Sequence, residues 1–183
     1  MIITPARPED LEHILAMREE AAKWLGSLGT DQWSKPFPDE ETQTARLREG
    51  IEQGETWMVR DGADTIGSIT INRNSNPLLW TPSEQQEPAL YAHKMSVRRS
   101  RAGSDVGGRM LDWASDQAAR QGLRWLRLDA WTTNKRLHQY YLRHGFDHVR
   151  TVVRDDYPSG ALFQRPAQPW PDEALDLLLT EAL

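Results

Sequence analysis

Residues 95–111 read Met95-Ser-Val-Arg-Arg-Ser-Arg-Ala-Gly-Ser-Asp-Val-Gly-Gly-Arg-Met-Leu111. The stretch divides into the end of a strand, a basic turn that closes on glycine, and the start of a helix. A glycine turn feeding a helix N-terminus presents unpaired N–H groups and the positive end of the helix dipole, which together suit a phosphate. Arg98, Arg99, Arg101 and Arg109 add positive charge around that point. Upstream, residues 90–97 (LYAHKMSV) read as a strand. Downstream, residues 105–121 carry Val106, Met110, Leu111, Ala114 and Ala118 at helical spacing, and Gly122 ends the run. Residues 123–131 (LRWLRLDAW) then alternate as a second strand. The three pieces form one β-α-β crossover, whose carboxyl end is where a ligand is expected.

The pattern continues outward in both directions. Residues 1–4 predict a strand. Pro8-Glu9-Asp10 opens a helix that runs to about residue 25, with proline and acids where a first turn favours them. A loop over 26–38 holds Trp33 and Phe37. A helix over 39–53 stops at Gly54. Strands over 56–60 and 65–73 are joined by Asp61-Gly62-Ala63-Asp64, a strong hairpin signal. Residues 74–88 form a polar loop interrupted by Leu78-Leu79-Trp80, with 84–87 expected as a solvated charge run. After the crossover come a short helix over 134–144, stopped by Gly145, and strands over 146–153 and 161–165. The order is β-α-α-β-β-β-α-β-α-β-β. The fold class is mixed α/β with a largely antiparallel sheet, flanking helices and one β-α-β crossover. Residues 1–166 are expected as one domain. Residues 167–183 are expected as a tail with an apolar face at Ala174, Leu175, Leu178 and Leu179, suited to docking back or to joining a second subunit.

Composition narrows the classes. The chain has 183 residues, enough to bury a core. It has no cysteine, which removes disulfides, thiolate catalysis and cysteine-ligated zinc. A net charge of −5 counts against nucleic acid as a partner. No apolar run reaches the roughly 18 residues of a membrane span. The first residues lack a basic region followed by a long apolar one, so a cytoplasmic protein is expected. His138, His144 and His148 do not share a helical face, because the last two flank Gly145, so no metal site is expected.

Two spaced motifs resemble the GCN5-related N-acetyltransferase (GNAT) family. Its acyl-CoA loop reads roughly Val-x-Pro-x-x-(Arg/Gln)-Gly-x-Gly-x-(Gly/Ala)-x-x-Leu-Leu. This chain offers Val97, Arg99 in the proline place, Gly103, Val106, Gly107 and the aliphatic pair Met110-Leu111. The second motif, Asn-x-x-Ala-x-x-x-Tyr-x-x-x-Gly-Phe, is met by Asn134, Leu137, Tyr141, Gly145 and Phe146 with every spacing kept. The element order matches as well. Ala102 departs from the usual Arg or Gln, and Asp105 replaces the middle glycine. A carboxylate there either caps the helix or repels a pyrophosphate.

The resemblance implies transfer of an acetyl or acyl group from acyl-CoA to a primary amine of a small molecule or peptide by direct attack. Acetyl-CoA is then the co-substrate. The backbone of Met95, Ser96 and Val97 would pair with the pantetheine arm. Ala102, Gly103, Ser104, Asp105, Val106, Gly107 and Gly108 would form the pyrophosphate cradle. Asn134 would hydrogen-bond the pantetheine or a water, and Tyr141 would protonate the leaving thiolate. The amine needs a base. His93 is placed for that by its alternation with Met95 and Val97 along the strand, with Asp129, Glu87 and water as the other options. The acceptor side would draw on Gln32, Trp33, Trp80 and Trp131, whose rings suit a planar amine or a cation. Two rival readings are an aminoacyl-tRNA donor and a domain that binds acyl-CoA without catalysis.

Overall fold

In this computed structural model, which describes residues 1–34 and 37–170, seven strands and five α-helices follow one another in the expected order, except that a short helix, α3, is added between the third and fourth strands. β1 is Ile2–Pro5, α1 Leu11–Ser27, α2 Glu40–Glu52, β2 Thr56–Asp61, β3 Asp64–Asn72, α3 Pro82–Gln85, β4 Ala89–Val97, α4 Val106–Arg120, β5 Trp125–Ala130, α5 Lys135–Arg143, β6 Asp147–Thr151 and β7 Ala161–Pro166. Short 3-10 turns at Pro8–Asp10 and Arg99–Arg101 precede α1 and α4. The strand order is β1-β2-β3-β4-β5-β7-β6. β4 and β5 pair in parallel, as a crossover through α4 requires. β1 with β2, β2 with β3, β5 with β7 and β6 with β7 are antiparallel. The mixed, largely antiparallel α/β class is the one expected. Among the described residues no helix is long and apolar enough to cross a membrane.

Local chemistry accounts for the element ends. Asp39 caps α2 by accepting from the Thr42 N–H at 2.7 Å. Asp61 pairs with Asp64 across Gly62-Ala63, and Gly62 takes φ +61, a conformation open to glycine without penalty. α3, which interrupts the expected loop over 74–88, rests on a capping box. Thr81 Oγ1 accepts from Glu84 N, and the Glu84 carboxylate accepts from Thr81 N. The Thr-Pro-Ser-Glu spacing at 81–84 carries that signal in the sequence.

Two compact units divide the described chain. One consists of Met1–Thr70 with Lys94–Arg109, the other of Ile71–His93 with Met110–Trp170. In the first, Ile14, Met17, Leu47, Ile51 and Met58 form a core in which none is more than 6% exposed. In the second, Leu79, Trp80, Ala89, Tyr91 and Leu162 cluster together. The expected inward face of α4 is the buried one: Val106, Met110, Leu111, Ala114 and Ala118 are all buried. The tail expected over 172–183 lies outside the described residues.

Candidate active site

The basic glycine turn after β4 belongs to the first unit. The β4 ladder with β5 ends at Ala92↔Leu128. Two residues on, Lys94 takes φ +51, a left-handed residue inside a strand. The pleat is broken there, so the alternation used to put His93 on the face of Met95 and Val97 does not carry across position 94. Ser96 is buried, and its hydroxyl lies 3.1 Å from that of Ser68. The Arg98 N–H donates to the Ile66 carbonyl at 2.9 Å and keeps the end of β4 on β3.

The turn itself is held by its own backbone. Ala102 N donates to Arg99 O at 3.0 Å, and Ser104 N to Arg101 O at 3.2 Å. Gly103 has φ +82 and Asp105 φ +53. Glycine adopts that region freely, whereas aspartate does so at some cost. The Asp105 carbonyl accepts from Arg109 N at 3.1 Å, so Asp105 stands at the head of α4. Ala102, Gly103, Ser104 and Asp105 are exposed, while Val106, Gly107 and Gly108 are buried.

Arg98, Arg99 and Arg101, expected to surround a phosphate, have partners of their own. Arg98 Nη1 lies 3.8 Å from Glu20, and Arg101 Nη2 lies 2.9 Å from Asp61 and 3.7 Å from Asp64. The Arg99 guanidinium stacks on Trp24 at 3.7 Å, and the Arg99 backbone N–H donates to Glu20 at 3.1 Å. These side chains tie the turn to α1 and the β2–β3 hairpin. Sequence spacing cannot reveal such pairs, because their partners lie tens of residues away.

The second unit holds the proton-transfer candidates. Tyr141 on α5 is buried, with its ring 5.5 Å from Phe163 and 5.8 Å from Phe146. Burial raises its pKa far above the usual phenol value, and the Tyr140 and Asp129 charges add to the rise. Its hydroxyl makes no hydrogen bond with the described residues. It is therefore a protonated donor with its hydrogen uncommitted. Asp129 on β5 has its pKa raised to about 6 by burial. The Tyr157 hydroxyl donates to Asp129 Oδ2 at 3.0 Å and opposes that rise.

His93 and Asp129 each follow the last paired residues of the parallel strands β4 and β5. His93 Nε2 donates to Asn72 Oδ1 at 3.2 Å. Asn134 is the N-cap of α5: its Oδ1 accepts from Leu137 N at 3.0 Å, a local duty that asparagine before a helix commonly performs. Thr132 anchors the β6–β7 connection. It donates to the Pro158 carbonyl and accepts from Gly160 N at 2.9 Å. A Cβ on Gly160 would meet the Val152 carbonyl oxygen at 1.8 Å, so only glycine fits there.

The aromatic acceptor set changes character. Trp80 is 1% exposed and lies in the core of the second unit, with Arg127 4.7 Å from its ring. It is core rather than pocket wall. Trp33 is half-buried with φ +60, and Arg18 covers its ring at 4.6 Å. A cationic acceptor cannot take a ring face that the chain's own arginine already holds. Gln32 is buried beside Trp33 in the first unit, and Trp131 is half-buried in the second, where its carbonyl meets His138 Nε2 at 2.9 Å. The acidic run 84–87 is not a solvated loop either. Glu84 pairs with Arg150, and Glu87 with the fully buried Arg127.

The family model described as "Acetyltransferase (GNAT) family" matches residues 19–146. The chain is 26% identical over 146 residues to the uncharacterized N-acetyltransferase YesJ of Bacillus subtilis (strain 168), a match covering 78% of this chain and 79% of that protein. The fold is similar to that of a GNAT-family acetyltransferase from Listeria monocytogenes, at 23% identity and a TM-score of 0.72, covering 90% of this chain and 94% of that one. It is also similar to the PaiA N-acetyltransferase of Thermoplasma acidophilum, solved in complex with coenzyme A. That match has 16% identity and a TM-score of 0.65, and covers 90% and 97% of the two chains.

Proposed function

Because the chain belongs to the acetyltransferase (GNAT) family, we propose that it transfers the acetyl group of acetyl-CoA to a primary amine of a small molecule or peptide, by direct attack and in a cytoplasmic setting. The observation that carries this reading is Tyr141. It is a buried phenol kept protonated by its surroundings, with its hydroxyl unused by the described residues, at the position where the family's second motif has its tyrosine.

The roles follow from the chemistry of the step. The backbone of Met95, Ser96 and Val97 offers strand-like hydrogen bonds to the pantetheine amides. The N–H groups of Ala102 through Gly108 receive the pyrophosphate at the head of α4. The amine loses a proton to a base, its lone pair attacks the thioester carbonyl, and the C–S bond breaks. Tyr141 gives its proton to the departing thiolate and is restored by the surplus proton that the new amide nitrogen sheds.

Asp129 is the favoured base. A carboxyl poised at about 6 is largely ionised at neutral pH yet basic enough to take a proton. His93 stands next to it along the paired strands and is the second candidate.

Calorimetric titration with acetyl-CoA, followed by a CoA-release screen over primary amines, tests this function. Micromolar binding with amine-dependent CoA release is expected. Absence of acetyl-CoA binding by a folded protein would overturn it and bring forward another donor or a non-catalytic role.

A further inference from the structure

Arg18, on α1, is half-buried, and its guanidinium lies 4.6 Å from the Trp33 ring centre. Among the described residues it has no hydrogen bond and no ion pair. A guanidinium withdrawn from water is ordinarily paired, because the charge loses its hydration and needs an anion or acceptors in return. The ring face offsets only part of that loss. Burial lowers the Arg18 pKa, as expected where no carboxylate compensates.

A second cation stands in its field. Lys94 takes its left-handed turn inside β4, and Nζ donates to the Arg46 carbonyl at 2.7 Å. An ammonium has three hydrogens, so that bond uses one of them. Burial lowers the Lys94 pKa, and the charges of Arg18 and Arg46 lower it further, while Glu49 and Glu55 act the other way. Arg18, Lys94, Arg46 and Trp33 all belong to the first unit. The first unit thus gathers like charges and leaves the half-buried Arg18 guanidinium without a counterion among the described residues.

We propose that Arg18 and Lys94 form an anion-binding site, taking the carboxylate or phosphate group of the acceptor amine. The site deepens the acetyl-transfer reading and rests on it for the identity of the ligand as acceptor. The planar fork of Arg18, braced by Trp33, suits two oxygens of one anion, and Lys94 adds a point charge. The transferable amine would then sit on a molecule that also carries negative charge, such as an amino acid, a peptide with a free C-terminus or a phosphorylated amine.

The test begins with thermal melting at constant ionic strength, titrating succinate and inorganic phosphate separately against chloride. Native protein should gain stability with at least one of them, by mass action on the folded state. Arg18→Met should melt no lower than the native protein in chloride, and its anion response should require tenfold or more higher concentration. A lower melting temperature for Arg18→Met, with equal anion responses in both proteins, would overturn the site. Lys94→Gln, which keeps a donor for the Arg46 carbonyl, provides the second variant and should weaken the response in the same direction. CoA release with glycine against glycinamide, and with O-phosphoethanolamine against ethanolamine, separates carboxylate from phosphate. Preference for the neutral member of both pairs would also sink the proposal. Acetyl-CoA titration of the same samples is independent of these readouts. A donor failure there, with the anion response intact, would remove the acetyltransferase reading and leave the site standing.

Discussion

The Tyr157 hydroxyl donates to Asp129 Oδ2 at 3.0 Å, joining the β6–β7 connection to the end of β5. The bond stabilises the ionised carboxylate while burial favours the protonated one, and burial is the larger effect. The result is a carboxyl poised at about 6. The loop that supplies Tyr157 is in turn fastened by Thr132, immediately after β5.

If Asp129 is the base, kcat/KM falls as pH drops through about 6, because only the ionised carboxylate accepts a proton. Tyr157→Phe removes the bond that favours ionisation, so the midpoint moves to higher pH. Asp129→Asn abolishes this limb along with most of the activity. An unmoved limb in Tyr157→Phe would transfer the role to His93.

The same carboxyl makes stability pH-dependent. Its folded pKa is about 6 against a reference value of 3.8, so between those values the folded state binds more protons than the unfolded one. Stability therefore decreases as pH rises through that window. Denaturant midpoints measured at pH 4, 5, 6 and 7 should show the decline, and Asp129→Asn should flatten it.

Tyr141→Phe keeps the packing against Phe146 and Phe163 and deletes only the proton donor. Turnover is expected to fall by about 10²-fold or more, with acetyl-CoA affinity and melting temperature little changed. Unaltered kcat would show that the thiolate leaves without help from this phenol.

Asp105 places a carboxylate at the head of α4 in a left-handed conformation. Asp105→Gly relieves about 1 kcal/mol of backbone cost and removes a negative charge from the phosphate seat. Acetyl-CoA should bind roughly tenfold tighter, equivalent to about 1.4 kcal/mol. Weaker binding in calorimetry would mean that the carboxylate shapes the turn rather than opposing the phosphate.

Arg127 is fully buried. It donates to the Glu84 carbonyl, the Gln164 side chain at 3.1 Å and the Tyr91 hydroxyl at 3.3 Å, besides its bond to Glu87. Arg127→Met strands these acceptors and should cost about 3 kcal/mol, a fall of roughly 6–12 °C in melting temperature. An unchanged midpoint would mean that the hydrophobic replacement compensates fully.

Much of the architecture was legible along the chain because its determinants are local. Gly62, Gly54 and Gly145 punctuate elements through positive φ, Asp39 caps α2, and the spacing of Val106, Met110, Leu111 and Ala114 marks the buried face of α4. Each of these works within a turn or two of the backbone. The motif positions Gly103, Asn134 and Tyr141 belong to the same class. What Arg98, Arg99, Arg101 and Arg127 touch belongs to another. Their partners Glu20, Trp24, Asp61 and Glu87 are 40 or more residues away in sequence, and no periodicity relates them.

Tertiary structure alone decided which arginines had acidic or aromatic partners. It alone buried Trp80, covered Trp33 with Arg18, and set a carboxyl on β5 against a tyrosine 28 residues further along. The sequence by itself determined the order of the seven strands, the four longer helices and the glycine turn. Charge pairing and desolvation depend on distances in space, and those exist only once the chain has folded.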